Sequence, residues 1–495
     1  MIKSKIISLE GLKKIKLKNK YKKIGLCHGV FDVVHFGHIE HLKFARKKVD
    51  ILVVSITADK FVNKAPHLPI NNEKIRAKFL INFDFIDYVF INHKLTSENI
   101  IKILRPNYYF KGKDYLTKDI TGNLNKELNI LKKYKGKIII SKTKMMSSTK
   151  IVNNTLKNWS SSQKKILNYL SGKNEYENIY KNFEKIKQLE INIIGEPIID
   201  EYIFGNMVGL TSKDPAISLL KNEQKILAGG AIAVCKMFSE FVKKVNIYTY
   251  GSNRVIKNFL KNYKNVKIIN LSRKLKIQKK TRFLNATRFE KIMQISNIEK
   301  NQIDYKTIKK LIRRIKFDNP KNLVICDYGI DLFDKKFVEF IEKIKNKKFI
   351  NVQSNSLNLG FNLFSKYNNY SYLSLDEKEW KLGFKKKNNI LQNIITLSKI
   401  KKIPLSITKG KEGSNLIYLN KNYFCPTFID KTVDTTGCGD AFFVITTLMN
   451  IIGCQKKLIP FIGNTYAGLH GQFFGNEKII SKPIYLKYLK SILNF

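Results

Sequence analysis

Acidic residues are scarce: 39 Asp and Glu stand against 91 Lys and Arg in 495 residues, a formal net charge of +52. Arginine is scarce as well, nine residues against 82 lysines. So large an excess invites a polyanionic partner such as nucleic acid or anionic lipid. The planar fork that reads phosphate and guanine edges belongs to arginine, however. The lysines run over the whole length beside many Asn and Ile, and all three have A/T-rich codons. A genome bias therefore accounts for the excess, and nucleic acid is not expected as a partner. Long apolar runs are missing too: no apolar stretch approaches the about 18–20 uncharged residues that a membrane helix needs. The N-terminus, Met-Ile-Lys-Ser-Lys, lacks the apolar core of a secretory signal, so a cytoplasmic protein without membrane contact is expected. Six cysteines, at 27, 235, 326, 425, 438 and 454, form no CxxC pair and match no zinc spacing. They fit free thiols in a reducing compartment. What is present is a globular composition, 43% hydrophobic and 12% aromatic, which excludes a disordered chain. At about 100–200 residues per domain, two or three domains are expected.

From Lys23 to Val152 short apolar runs alternate with helical periodicity. The runs are Ile24–His28, Val49–Thr57, Tyr88–Ile91, Tyr108–Lys111 and Lys137–Ser141, with helices expected at Ile39–Lys47 and Asn72–Ile81. Strands alternating with helices predict βαβ units and a parallel sheet. Residues 153–188 read as a polar linker, Lys/Asn-rich, helix-permissive and interrupted by Ser160-Ser161-Ser162. A second α/β region starts at Ile191-Asn-Ile-Ile-Gly195 and recurs in runs at Val245–Tyr250, Leu323–Cys326, Phe349–Val352 and Leu405–Thr408. A glycine turn then leads into a helix at Thr435–Leu448. The expected domains are thus 1–152, a linker 153–188, and 189–495.

Two segments carry chemistry. In the first, His28-Gly29-Val30-Phe31-Asp32 ends an apolar strand, and a helix starts near Phe36. Gly29 permits a tight turn or the close approach of a ligand. His35 and His38, three apart at the helix start, share one side, and helix amides plus two imidazoles make an anion site. This segment resembles the HxGH nucleotidyltransferases, with further motifs in order: Lys64-Ala-Pro-His-Leu-Pro69-Ile70-Asn71, Arg76, Arg105-Pro106 through Lys111-Gly112-Lys113-Asp114-Tyr115, and Ser147-Ser148-Thr149-Lys150-Ile151. The resemblance implies a Rossmann-like domain that transfers a nucleotide from a nucleoside triphosphate to a sugar phosphate. By it, His35 and His38 stabilise the transition state. Gly29, Phe31, Lys64, Arg76, Lys111, Asp114, Ser148 and Thr149 hold nucleotide or phosphate.

The second segment is Asp434-Thr435-Thr436-Gly437-Cys438-Gly439-Asp440. Two glycines before a helix let backbone amides converge on an anion, and the Asp carboxylate beside them can accept the proton of an attacking hydroxyl. An ordinary helix cap after a glycine turn is the plainer reading of that string taken alone. The longer string resembles the signature of ribokinase-like (PfkB) carbohydrate kinases. That resemblance makes Asp440 the catalytic base and Gly437, Cys438 and Gly439 the anion hole. It makes Thr408, Gly410 and Gly413 the nucleotide loop, and Asp200, Gly229 and Gly230 sugar contacts. Glu377 keeps the acidic end of an element tied to magnesium. The chain departs from the pattern at Glu196, Ala233 and Ser374, where Asp, Asn and Asn are usual, and at Asn351–Gly360, where heptose kinases carry a D-P-K-G-type turn.

Together the halves resemble the bifunctional heptose-phosphate kinase/adenylyltransferases, with the domain order reversed. The resemblance implies synthesis of a nucleotide-activated sugar of the ADP-heptose kind, feeding lipopolysaccharide or another surface glycan. Mg²⁺ and ATP serve as cofactor and co-substrate, sugar phosphates and nucleoside triphosphates are the partners, and a homodimer is allowed. Two other readings stay open. One is a cytidylyltransferase using CTP, fused to a divergent kinase. The other is a basic protein associated with nucleic acid.

Overall fold

The computed structural model describes residues 5–62, 69–94, 96–112, 123–141, 159–172, 175–297, 303–330, 332–355, 358–385, 388–429 and 432–493. The chain forms two compact units. One comprises Met1–Ser160, Leu167–Tyr176 and Pro483–Phe495, the other Ser161–Ile166 and Glu177–Lys482.

In the first unit the apolar runs become β1 (Ile6–Ile7), β2 (Ile24–Gly29), β3 (Ile51–Thr57), β4 (Tyr88–Asn92), β5 (Tyr108–Gly112) and β6 (Lys137–Ser141). They pair in parallel in the order β1-β4-β3-β2-β5-β6. β3, Ile-Leu-Val-Val-Ser-Ile-Thr, is buried along its whole length, as a central parallel strand covered on both faces must be. One apolar layer, around Leu42, Val54, Leu80 and Phe110, covers one face; another, around Leu12, Ile24, Val53 and Leu104, covers the other. The order reverses at β2, between β3 and β5. Ligand crevices form at such switch points, beyond the carboxyl ends of the strands.

The second unit holds a nine-stranded sheet, order β11-β10-β7-β14-β15-β16-β17-β18-β19. Its members are β7 (Glu190–Gly195), β10 (Lys244–Thr249), β11 (Val266–Asn270), β14 (Asn322–Asp327), β15 (Lys347–Val352), β16 (Tyr372–Asp376), β17 (Leu405–Thr408), β18 (Ser414–Tyr418) and β19 (Lys421–Cys425). A separate four-stranded sheet, β13-β12-β8-β9, is built from β8 (Pro197–Leu210), β9 (Ile217–Gly229), β12 (Gln278–Asn285) and β13 (Lys291–Asn297). The sequence runs anticipate β7, β10, β14, β15 and β17. They do not anticipate the four-stranded sheet.

Helices occupy Ser161–Gly172 and Glu175–Ile186, in the stretch read as a polar linker. The first buries Leu167 and Leu170, and Ser171 Oγ donates to Leu493 O at 2.6 Å. The second buries Ile179, Phe183 and Ile186, an i, i+4, i+7 stripe among the lysines. All six cysteines are free, five of them buried. Among the described residues no helix is long and apolar enough to cross a membrane.

Candidate active sites

In the first unit β2 ends at Gly29 and the Phe36–Arg46 helix begins seven residues later. The turn between them is strained at Phe31, whose φ of 49° is rare for a bulky residue. Three contacts hold it there. Its side chain is buried, its ring lies 5.3 Å from that of His38, and Arg76 Nη1 donates to Val30 O. His35 is the N-cap of the helix and His38 its third residue, and their rings stack at a centroid distance of 4.0 Å. Both imidazoles therefore lie at the positive end of the helix dipole, where an anion is favoured.

Arg76 is almost wholly buried, and its guanidinium also bonds Asn71 O, Thr57 O and Asp59 Oδ1. It ties the carboxyl end of β3 to the turn. Asp32 braces the turn from its other side, where its two oxygens accept from Ile70 N at 2.8 Å and Asn71 N at 2.9 Å. That explains the Pro-Ile-Asn turn.

Lys111 is buried at the end of β5, 3.7 Å from Glu127 Oε2. Glu127 also accepts from Tyr109 Oη and Ser97 N, each at 2.9 Å. Burial pushes the Glu127 carboxyl up, but Lys111 and the hydrogen bonds from Ser97 outweigh it and leave it below its ordinary value. Burial, reinforced by Lys111, lowers His28 and His41 to about 4 each, so both rings are neutral at pH 7. His28 Nδ1 meets Ser55 Oγ at 3.1 Å, and His41 Nδ1 meets Ser141 Oγ at 2.7 Å. Sequence reasoning did not single out Glu127 or His41. Glu127 sits in a lysine-rich helix with no motif around it. His41, three residues beyond His38, was the available signal. Lys64, Asp114, Ser148 and Thr149 lie outside the described residues.

In the second unit the Cys438–Ile451 helix begins at Gly437, whose φ of 81° suits glycine. A Cβ there would meet Asn476 Oδ1 at 2.8 Å and His470 Nε2 at 2.9 Å. The Cys438 amide closes the turn on Thr435 O at 3.1 Å. Among the described residues the amides of Gly437 and Gly439 have no acceptor within the chain, which leaves them for a bound anion.

Asp440 is the third residue of this helix and is buried. Its Oδ1 accepts from Gln353 Nε2 at 2.6 Å, Asn351 Nδ2 at 3.1 Å and Tyr328 Oη at 3.2 Å. Burial raises its carboxyl to about 7, against the pull of the Tyr328 and Gln353 donors and of Lys280. A carboxyl poised near neutrality is suited to take a proton.

Asp434 behaves oppositely. Burial pushes it up, but Lys291 Nζ at 2.8 Å and Thr436 bring it to about 2. Tyr202 Oη and Gly475 N also donate to it. Lys291 and Tyr202 come from the four-stranded sheet, so Asp434 ties that sheet to the anion turn.

Asp200, on β8, is buried and takes Arg282 Nη1 at 2.6 Å. Gly229 passes so close to it that a Cβ would stand 2.3 Å from Asp200 Oδ2. Gly230 follows as the first residue of the Gly230–Ser239 helix, which also carries the buried Ala233. Thr408 ends β17, and Gly410 and Gly413 flank the short turn Gly410–Glu412.

Glu196 is fully buried, and its carboxylate accepts from the backbone N–H groups of Tyr328, Ile330 and Leu332. The longer side chain thus braces the loop that presents Tyr328 to Asp440. Glu377 lies at the surface, paired with Lys381 Nζ at 2.9 Å. Glu379, half-buried on the same helix, accepts from Ser354 N and Asp376 N, and desolvation raises its carboxyl to about 8. Among the described residues no cluster of three or more His, Cys, Asp or Glu could cage a metal ion.

Comparison with known proteins agrees with this division. Residues 26–161 match the cytidylyltransferase-like family model, and residues 257–444 match that of the pfkB family carbohydrate kinases. The bifunctional protein HldE of Aliarcobacter butzleri is 35% identical over 156 residues, covering 30% of this chain and 33% of that protein. The protein of the same name from Campylobacter jejuni subsp. doylei is 41% identical over 108 residues, covering 21% and 23%. The chain thus aligns with a third or less of the length of these relatives. Phosphofructokinase-2 from Escherichia coli, in a crystal structure with substrates and products, superposes with a TM-score of 0.51 at 12% identity. The match spans 61% of this chain and 99% of that one, a likeness of fold. The chain therefore carries an N-terminal cytidylyltransferase-like domain and a C-terminal domain of the pfkB carbohydrate-kinase type.

Proposed function

We propose that the protein is a cytoplasmic bifunctional enzyme of nucleotide-activated sugar synthesis, with a sugar kinase in the second unit and a nucleotidyltransferase in the first. The observation that carries the reading is the pair of glycine turns entering helices, each with a different chemical group at the third helical position. In the kinase step the acceptor's hydroxyl gives its proton to Asp440. Its oxygen bonds the γ-phosphorus of ATP as the bond to the departing ADP breaks. The amides of Gly437 and Gly439 take up charge on the phosphoryl oxygens, and the Cys438 amide holds the turn that aims them. Asp200, Gly229 and Gly230 position the sugar, and Thr408, Gly410 and Gly413 the nucleotide.

In the transferase step an oxygen of the sugar phosphate attacks the α-phosphorus of a nucleoside triphosphate, and pyrophosphate leaves. His35 and His38 neutralise the charge on the phosphates. Gly29 and Phe31 shape the turn beneath them, Arg76 holds that turn, and Lys64, Lys111, Asp114, Ser148 and Thr149 complete the pocket. Mg²⁺ fits a site without a protein cage, since it enters such centres on substrate phosphates with one or two carboxylates and its own waters. When bound, it would neutralise phosphate charge, and Glu377 is the carboxylate offered for it. The resemblance of both halves to the heptose-phosphate kinase/adenylyltransferases supports a heptose-like sugar, and the cytidylyltransferase-like match keeps CTP beside ATP as donor. Exposed Met207, Leu210, Leu220 and Ile226 on the β8–β9 hairpin support a homodimer.

The test is a product screen. The purified chain is incubated with Mg²⁺, ATP or CTP, and a panel of heptoses, other sugars and their phosphates, with mass detection. New sugar phosphates and nucleotide-sugars are the expected products. Absence of both from every combination overturns the reading.

A further inference from the structure

Asn351 and Gln353 stand at the carboxyl end of β15, two apart, so their side chains fall on one face of the strand. Val352 between them is buried on the other face. The strand is held in register there, since Cys326 pairs with Asn351, and Gln353 N donates to Asp327 O at 2.9 Å. Both amide groups reach the same atom, Oδ1 of Asp440. Among the described residues no donor reaches Oδ2.

We propose that Asn351 and Gln353 are positioning residues of the phosphoryl-transfer step: their N–H groups fix Oδ1 of Asp440 and leave Oδ2 to receive the acceptor's proton. The proposal rests on the kinase reading above. A carboxylate held by one oxygen cannot rotate, so its basic lone pair keeps one direction, the preorganisation that proton transfer needs. Donors to the ionised form also favour that form, and they oppose the burial that raises Asp440. The other charged or titratable groups facing Asp440 are Asp200 on β8, Lys280 on β12, Cys326 and Tyr328 at the end of β14, Glu379 on the Glu377–Phe384 helix, and Cys438 on its own helix. Of these, Lys280 and the Tyr328 hydroxyl favour the charged base. Asp200 opposes it.

The experiment is the pH dependence of kcat for sugar phosphorylation in the wild type, Gln353→Leu, Gln353→Glu and Asn351→Leu. Nucleotidyl transfer and melting temperature serve as folding controls. Loss of a donor raises the base's pKa, so the acid limb moves to higher pH. For Gln353→Leu a shift of about half to one unit is expected, a three- to tenfold loss at pH 7 that is largely recovered at pH 9. Gln353→Glu puts a second carboxylate against Oδ1 and shifts the limb further, by at least about one unit. A limb that stays in place while kcat falls equally at all pH values overturns the proposal and leaves a packing role.

A second readout does not need turnover: the pH titration of the Asp440 carboxyl by infrared difference spectroscopy, with Asp440→Asn as the blank. Its midpoint moves upward in Gln353→Leu if the proposal holds and stays fixed if it fails. A wild type that phosphorylates no sugar defeats the kinase reading, and the infrared midpoints then decide the positioning role by themselves.

Discussion

His38 and Asp440 occupy the same place in two unrelated sites. Each is the third residue of a helix, each follows a glycine, at 37 and 439, and each helix is entered from a turn that ends a strand-rich segment. The surroundings set them apart. In the first unit the polar work at the helix end falls to side chains, two stacked imidazoles at 4.0 Å, while the backbone turn beneath them is held by Arg76 and Asp32. In the second unit the proposed reading gives that work to the backbone, through the Gly437 and Gly439 amides, and keeps the Asp440 side chain for proton transfer. A helix N-terminus alone would favour an ionised Asp440. Burial, with Asp200 adding to it, instead raises the carboxyl to about 7. On the proposed reading, the same local geometry serves as an electrostatic clamp in one place and houses a base in the other.

The sharpest test of that difference is reciprocal inactivation. Asp440→Asn keeps shape and removes the base, so sugar phosphorylation should fall by about 10²–10⁴-fold while nucleotidyl transfer is unchanged. His38→Ala should do the reverse, lowering nucleotidyl transfer by about 10²–10³-fold. Loss of both activities from either change in a folded chain would break the two-site comparison. The Asp440 change also carries a stability signature. A carboxyl raised to about 7 favours the fold when neutral and weakens it when ionised. Asp440→Asn should thus raise the melting temperature at pH 8 by about a few degrees, a gain that fades as pH falls toward 5.

Next in size is the pH profile. With Asp440 near 7, the kinase rate should fall about tenfold per unit below that value. His28 and His41 sit near 4, so neither ring changes charge between pH 6 and 8, and neither should place a limb there in the transferase profile. Parallel assays on one preparation check both statements. A kinase rate flat from pH 5 to 8 would remove Asp440 as the base.

Much of this difference is legible in the chain itself. β2, β3, β14 and β17 are short, largely apolar runs, as central parallel strands tend to be. The glycine turns are local, so their spacing carries them. The four-stranded sheet was not legible because β8 and β9 are long, with largely exposed outer halves, and mix Lys, Asn and Gln with apolar residues. The donors to Asp440 were hidden for another reason. Asn351 and Gln353 lie about 90 residues from it in sequence, and only the crossover that sets β15 beside β14 brings them near. The Ile179, Phe183 and Ile186 stripe was masked by the lysines around it.

A smaller effect should come from Lys291→Met. The ammonium lies 2.8 Å from Asp434 Oδ1 and 2.9 Å from Thr436 Oγ1, and it belongs to the four-stranded sheet. Its loss removes one of several donors to Asp434 and loosens the turn that precedes the anion hole. Because the ammonium is partly exposed, solvent screens the pair. We expect a loss of about tenfold in kinase kcat/KM and none in nucleotidyl transfer. An unchanged kinase would show that the Thr436, Tyr202 and Gly475 contacts fix the turn unaided.

The smallest effect should fall on Cys438, although it lies inside the anion turn. Its contribution there is an amide that closes the turn on Thr435 O, and alanine supplies the same amide. The thiol faces Asp434 O at 3.8 Å, and burial, with Asp434 and Asp440 adding to it, raises its pKa to about 12. It therefore carries no charge at working pH and is a weak nucleophile, since the thiolate is the reactive form. Cys438→Ala should leave the kinase rate within about threefold of wild type, the range of a small packing change in a half-buried site. Alkylation of Cys438 by iodoacetamide at pH 7 should be slow on the timescale of a free thiol. A large loss of rate in Cys438→Ala would mean that the second site, like the first, works through its side chains at the helix end.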